Sequence, residues 1–180
     1  MIAVVAIWAF AEALLWFVVA DVPISAVGLR DGFGRAARAS LVAALAAALG
    51  GLVMLHWAAA APKASRAALD LVPGIGPGMI GEAAAAWEAD GFVAMLAGAF
   101  AGVPYKLYAH AAGMAHAEPA AFVLMSVAAR LPRFLMVSAL SAILGQWLRK
   151  WLDPRQMIAT FAGFWVLFYY AYFLAVGGAN

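Results

Sequence analysis

The sequence contains no cysteine, which excludes disulfide bridges and cysteine-ligated zinc sites. Charged residues are also scarce, at 11% of the chain against about a quarter in soluble domains. The 11 basic and 9 acidic residues leave a net charge of +2 without forming a basic patch, so we expect no nucleic-acid partner. Three widely spaced histidines, His56, His110 and His116, do not resemble a ligand set, and we expect no metal and no cofactor.

Apolar residues are abundant instead, at 68% of the 180 residues, with a mean hydropathy of +0.96. A helix needs about 20 apolar residues to cross a bilayer core. Residues 39–61, 119–145 and 156–177 meet that length, which predicts an all-α integral membrane protein with at least these three transmembrane helices.

Two further apolar stretches are interrupted at membrane depth. Residues 2–30 contain Glu12, Asp21 and Pro23, whereas residues 91–115 contain Pro104 and Lys106. Neither stretch is a regular single span, because charges and proline are costly at that depth.

An offset of 81 residues aligns the two interrupted stretches, placing Asp21-Val22-Pro23 on Gly102-Val103-Pro104. Each stretch is followed by a long helix in register. This pattern predicts an internal repeat, with repeat one at residues 1–61 and repeat two at residues 91–145.

Basic clusters, which collect in cytoplasmic loops, precede residue 39 and residue 156. Both clusters lie on one side only if each interrupted stretch enters and leaves the membrane on the same side. We therefore predict two inverted repeats in one membrane domain, residues 1–180. Each is a re-entrant helical hairpin (2–30 and 91–115) followed by a transmembrane helix, with a C-terminal transmembrane helix added. In the alternative, residues 2–20 form a plain span.

The connector, residues 62–90, contains Gly76-Pro77-Gly78-Met79-Ile80-Gly81, which matches GxGxxG formally. No strand precedes it, so a nucleotide site is not indicated. We interpret the motif as a turn before an interfacial helix at residues 79–89.

The two hairpins differ where the returning helix begins. Asp21 stands two residues before Pro23 and is expected to satisfy free N–H groups there, whereas the aligned Gly102 has no side chain, and Lys106 follows Pro104. The second helix start is thus predicted to be open to an anion.

Arg130 and Arg133 share a helix face at membrane depth and need partners. Three candidates are Glu12, Asp21 and an exogenous phosphate, which suits the arginine fork. A permanent structural ion pair and a pair that a ligand displaces are both open. Because low dielectric disfavours a charged carboxyl group, Glu12 and Asp21 are candidates for proton or ion coupling.

The run from Phe100 to Lys106, the run from Ala129 to Phe134, and Glu12 with Asp21-Val22-Pro23 resemble the DedA family (VTT, SNARE-associated membrane proteins), most closely its short YqaA-like branch. The resemblance implies two oppositely oriented re-entrant loops and transport of lipids across a bacterial inner membrane. Family members typically carry two arginines around the second hairpin proline, at positions occupied here by Phe100 and Lys106.

The leading hypothesis is a transporter or flippase of an anionic lipid or lipid-linked phosphate, with its N-terminus cytoplasmic and its C-terminus outside. Its predicted substrate-binding residues are Gly102, Pro104, Lys106, Arg130 and Arg133. A non-transporting membrane scaffold or interaction subunit with structural ion pairs is the alternative. An enzyme is not expected, because no nucleophile–base pair accompanies the basic residues. The anticipated partner is a membrane lipid, and a homo-oligomer is compatible with the sequence.

Overall fold

A computed structural model describes residues 1–177. Within that range the chain forms nine helices and no strand, in the order α1 (Ile2–Leu14), α2 (Asp21–Asp31), α3 (Phe33–Ala60), α4 (Pro62–Asp70), α5 (Pro77–Asp90), α6 (Phe92–Ala101), α7 (Tyr105–Met114), α8 (Pro119–Leu148) and α9 (Pro154–Gly177). The last three residues of the predicted membrane domain, and with them the predicted placement of the C-terminus, lie outside the described residues.

Three helices, α3, α8 and α9, are long and apolar enough to cross a membrane. The predicted all-helical fold, with three helices long and apolar enough to span a membrane, is therefore confirmed for the described residues. Helix α3 begins at Phe33, earlier than residue 39, where the apolar run starts. Arg35 and Arg38 lower the local hydropathy, but arginine is a good helix former, so the helix continues through them.

The four helices formed by the two interrupted stretches are short: α1 has 13 residues, α2 has 11, and α6 and α7 have 10 each. At 1.5 Å per residue the longest measures about 20 Å, less than a hydrocarbon core of about 30 Å. Arg30 lies 3.7 Å from the Met1 sulfur, so α2 ends where α1 begins. We call α1 and α2 the first helix pair and α6 and α7 the second.

Helices α3 and α8 run in opposite directions at the centre of the molecule. Ser40, near the start of α3, donates to the Phe134 carbonyl (3.0 Å) and contacts the Ser138 hydroxyl (2.7 Å) on α8. Ser40 and Ser138 are fully buried. Small side chains let these helices approach closely, as is common between membrane helices.

The second helix of each pair, α2 or α7, packs on the long helix of the other half of the chain. Gly28 of α2 lies against Ser141 of α8, and Gly113 of α7 lies against the Leu55 carbonyl of α3. A methyl group at either glycine would overlap these atoms. The glycines therefore permit a close approach that larger side chains would prevent.

The connector contains two helices, α4 and α5, of which only the second was predicted. Helix α5 starts directly after Gly76, two residues before the predicted start at residue 79. Helix α4 starts with Pro62, whose missing N–H has no cost at a first helical position.

Two bends define the helix pairs. The first bend, residues 15–20, is held by a hydrogen bond from the Trp8 indole to the Val18 carbonyl (2.9 Å). The second bend, residues 102–104, begins with Gly102 at φ +84°, a left-handed conformation that ends α6. A Cβ at Gly102 would meet no neighbour within 4 Å, so glycine is needed there for its backbone conformation.

Candidate functional site

The two bends meet at one cavity between the helix pairs, α8 and α9. Its volume is about 140 Å³, close to an engineered apolar cavity of about 150 Å³ that holds one benzene molecule. A phosphate-sized head group fits such a space, whereas a whole lipid does not. Five charged residues line the cavity: Glu12, Asp21, Lys106, Arg130 and Arg133.

Arg130 of α8 is ion-paired with Glu12 of α1. Both side chains are less than a tenth exposed, and Arg130 also stacks on the rings of Tyr105 (4.5 Å) and Phe134 (4.9 Å). The guanidinium plane therefore has aromatic faces beside it and a carboxylate at one edge, an environment that stabilises arginine out of water.

Arg133 joins both bends. It is ion-paired with Asp21 at the start of α2, where its Nε donates to Oδ2 at 3.0 Å, and its Nη1 donates to the Ala99 carbonyl near the end of α6. The Arg133 side chain is 26% exposed, more than the Arg130 side chain at 9%. Arg133 is thus the more accessible arginine.

Lys106 lies in the first turn of α7 and is 3% exposed. Its ammonium group donates to the Trp16 carbonyl in the first bend at 2.8 Å. Among the described residues it forms no salt bridge with a carboxylate. Lys106 therefore holds a neutral oxygen where the two arginines hold carboxylates.

The expected capping role of Asp21 is wrong. Helix α2 has no side-chain cap among its described residues, and the Asp21 carboxylate faces Arg133 on α8 instead. An arginine at hydrogen-bond distance is the stronger partner, because both groups are charged. The helix start keeps its own contacts through backbone bonds such as Ile24 N–H to the Ala20 carbonyl (3.2 Å).

All five predicted binding residues line the cavity: Gly102, Pro104, Lys106, Arg130 and Arg133. Pro104 precedes α7 as its N-cap residue and so lies one position before the first helical turn. No described side chain caps α7, which leaves the N–H groups of Tyr105 and Lys106 available. His110 is buried but does not line this cavity.

Tyr105 also lines the cavity, although it is not among the residues predicted from the sequence. The hydroxyl group of Tyr105 donates to Ser126 on α8 at 2.7 Å, and its ring lies over Arg130. The only signal in the sequence is its position next to Lys106, directly after the second bend. The C-terminal helix was predicted, but its part in the site was not: Phe168, Tyr169 and Tyr172 of α9 form a side of the cavity.

The cavity carries three cationic and two anionic side chains, a formal excess of one positive charge. Two buried atoms at its wall, Asp21 Oδ1 and Arg130 Nε, have no hydrogen-bond partner among the described residues. Unpaired buried polar atoms are uncommon and call for an explanation. A polar ligand or water in the cavity would satisfy them.

No protein family, curated protein or solved structure matches the chain.

Proposed function

We propose that the chain is a membrane transporter that moves an anionic lipid, or a lipid-linked phosphate, between the two sides of the bilayer. The observation that carries the proposal is the cavity between the two bends, where Lys106, Arg130 and Arg133 outnumber Glu12 and Asp21. Charged groups inside a membrane protein are costly and mark substrate or ion pathways. No covalent chemistry is involved.

Re-entrant hairpins are part of this proposal. The helices of both pairs are too short to cross a bilayer, and both bends lie beside the centres of α3 and α8. Tyr105 lies against Gly51 near the middle of α3, and Asp21 contacts Arg133 near the middle of α8. These contacts support bends that reach the midplane and return to the side of entry.

An inverted relation between the halves is the second structural element of the proposal. Helix α2 runs parallel to α8, since Asp21 contacts Arg133 and Gly28 contacts Ser141. Helix α7 runs parallel to α3, which itself is antiparallel to α8. Opposite directions of the two returning helices are what an inverted repeat requires.

Membership of the DedA family is proposed on the same residues. The acidic positions of the first half, Glu12 and Asp21, contact the arginines of the motif in the second half, Arg130 and Arg133. The residues that resemble the family motifs come from distant parts of the chain and meet at one cavity. A function that they share would require this.

The mechanism we propose is an exchange of partners. A phosphate head group entering the cavity binds Lys106 and the N–H groups at the start of α7, then competes with Asp21 for the more exposed Arg133. Protonation of Asp21 or Glu12 weakens its ion pair and releases an arginine to the ligand. Proton uptake and lipid binding are therefore coupled in this mechanism.

We place the protein in a bacterial inner membrane with the N-terminus in the cytoplasm. Arg149, near the end of α8, donates to the carbonyl groups of Leu29 and Arg30 at the end of α2, which brings two basic clusters to one end of the molecule. The positive-inside rule assigns that end to the cytoplasm and, through the direction of α9, the C-terminus to the outside.

The test is lipid translocation in proteoliposomes. Purified protein is reconstituted with fluorescent phosphatidylglycerol in the inner leaflet, and its arrival in the outer leaflet is followed by quenching at several pH values. Transport is expected in the native protein and is expected to be lost in Lys106→Ala and Arg133→Ala proteins. Lys150→Ala, an exposed basic residue outside the cavity, is the matched control. Unchanged transport in both cavity variants, once shown to be folded, would remove the proposed site.

The two ion pairs also favour a second function, a membrane scaffold locked by Glu12–Arg130 and Asp21–Arg133. In that case a partner protein would bind the exposed Trp147 and Trp151 at the end of α8. A scaffold binds its partner and moves no lipid. In that case the native protein would show no lipid transport, and the Arg133→Ala change would only lower its stability. Lipid transport by the native protein decides against this function.

A further inference from the structure

Helix α9 contacts the rest of the protein in a different way from the other long helices. None of the residues in the most apolar stretch of α9 is buried, whereas 56% of those in the most apolar stretch of α3 are buried. Among the described residues of α9, the less exposed ones recur with helical spacing, and all but Met157 are aromatic: Phe161, Trp165, Tyr169 and Tyr172. Helix α9 therefore contacts the rest of the protein through the ends of large side chains.

Two hydrogen bonds attach this helix near the cavity. The Tyr169 hydroxyl oxygen accepts from the Val19 N–H in the first bend at 2.8 Å, and the Tyr172 hydroxyl group donates to the Gly74 carbonyl at 3.3 Å. The Phe17 ring, also in the first bend, packs against Tyr169 with ring centres 5.9 Å apart. These contacts close one side of the cavity.

The helices of the first pair, α1 and α2, cannot separate from α3 and α8 without breaking close backbone packing. Gly50 of α3 lies against the Phe10 carbonyl of α1, and Gly145 of α8 lies against Leu29 of α2. Such glycine contacts bury backbone directly against backbone. By comparison, the side formed by α9 rests on side-chain contacts and two hydroxyl groups.

The cavity is also amphipathic: its charged groups are on α1, α2, α7 and α8, whereas the side chains that α9 places in its wall, Phe168, Tyr169 and Tyr172, are aromatic. A lipid has the same division between head group and hydrocarbon chain. The cavity volume of about 140 Å³ admits the head group alone, so the chain must leave the cavity on its apolar side.

We infer that a lipid enters the site sideways from the bilayer, between α9 and the first bend, with its hydrocarbon chain against the aromatic face of α9 and with Tyr169 as the residue that closes the entrance. This inference rests on the proposed function, since it supplies the path by which the anionic lipid reaches Lys106 and the arginines.

The experiment measures entry without measuring transport. Because the native chain has no cysteine, Val103→Cys places a single thiol in the cavity wall. The protein is reconstituted in vesicles and exposed to a maleimide carried on a lipid chain, and the labelling rate is followed by mass spectrometry. Tyr169→Phe keeps the ring and removes the hydroxyl group that closes the entrance. We expect labelling to become several-fold faster in this variant.

Tyr170→Phe is the matched control, because Tyr170 is 64% exposed and faces away from the cavity. Tyr172→Phe is a second variant that removes the other hydroxyl contact, and it is expected to act in the same direction. Equal labelling rates in the Tyr169→Phe, Tyr172→Phe and Tyr170→Phe proteins would overturn the sideways entrance even if lipid transport is intact. Faster labelling without transport in any protein would support the entrance and overturn the transport function.

Discussion

The Lys106 ammonium group donates a hydrogen bond of 2.8 Å to the Trp16 carbonyl oxygen, and this contact joins the second helix pair to the first bend. A carbonyl oxygen is a weaker partner for a cation than a carboxylate or a phosphate. An arriving phosphate can therefore take the place of Trp16 without first displacing a charged group. We assign the first contact with the head group to Lys106 for this reason.

Replacing Lys106 by methionine should weaken binding of an anionic lipid. Methionine keeps most of the side-chain volume and removes the charge, so a charge-assisted hydrogen bond worth about 1.5–3 kcal/mol is lost, and affinity falls by about 10- to 100-fold. Titration of the detergent-solubilised protein with phosphatidylglycerol, read by native mass spectrometry, measures the change.

Lys150→Met serves as the comparison, since Lys150 is exposed at the far end of α8. It should bind the lipid as the native protein does. Equal affinity in the Lys106→Met protein would show that the head group binds elsewhere.

The Glu12–Arg130 pair should show strong coupling in a double-mutant cycle. Glu12→Ala leaves the Arg130 charge buried without its carboxylate, which typically costs about 3–5 kcal/mol. Adding Arg130→Met removes the stranded charge, so the double variant should be more stable than Glu12→Ala alone. Unfolding in detergent with increasing denaturant gives the free energies for the cycle.

The exposed pair between Arg35 and Asp31, 3.2 Å apart on adjoining helices, is the control cycle. The Arg35 side chain is 71% exposed, so its coupling should be about 0–1 kcal/mol. If the buried cycle gives a coupling as small as the exposed one, the Glu12–Arg130 pair does not hold the halves together.

The long helices could be predicted from the sequence because their signal is local. A predominantly apolar run of at least 20 residues is enough to identify α3, α8 and α9, since only helices satisfy their backbone groups inside lipid. The ends of these helices could be predicted less accurately. The apolar run of α3 begins only after Arg38, whereas the helix itself begins earlier, at Phe33.

The charged residues of the site could also be identified, because each is unusual in an apolar stretch. Their pairing could not: Asp21 has an equally reasonable local use as a helix cap, and only the packing of α2 on α8 turns it to Arg133. Tyr169 has no signal in the sequence and Tyr105 has only its position beside Lys106, since aromatic residues are ordinary in membrane helices. Their roles depend on contacts between segments far apart in sequence.

Gly102→Ala should destabilise the second bend. Gly102 has φ +84°, and a side chain in that region costs about 1–2 kcal/mol, although a Cβ there meets no neighbour. Gly81→Ala in α5 is the matched change, because a Cβ there also meets nothing and the residue is helical. Alanine should stabilise that helix by up to about 1 kcal/mol. Thermal unfolding of both proteins in the same detergent should shift in opposite directions, and a stabilised Gly102→Ala protein would contradict the need for glycine in the bend.

The last prediction concerns pH and the start of α8, outside the cavity. Glu118 accepts hydrogen bonds from the Ala121 N–H (2.6 Å) and the Ala120 N–H (2.9 Å), and these bonds to the ionised carboxylate lower the pKa of Glu118. A lowered pKa in the folded state means that the cap stabilises fully above the pH at which the unfolded carboxyl titrates, about 4.3. This stabilisation is lost as the pH falls through the lower folded value.

The melting temperature of Glu118→Ala should therefore lie below that of the native protein at pH 7, and the difference should shrink towards zero below about pH 3, where the unfolded carboxyl is fully protonated and the folded one becomes so. Glu88→Ala, an exposed change on α5, controls for the loss of one negative charge. Because the N-cap bonds are made to the ionised carboxylate, a melting difference that stays constant from pH 7 to pH 3 would mean that Glu118 stabilises α8 by some means other than its charge.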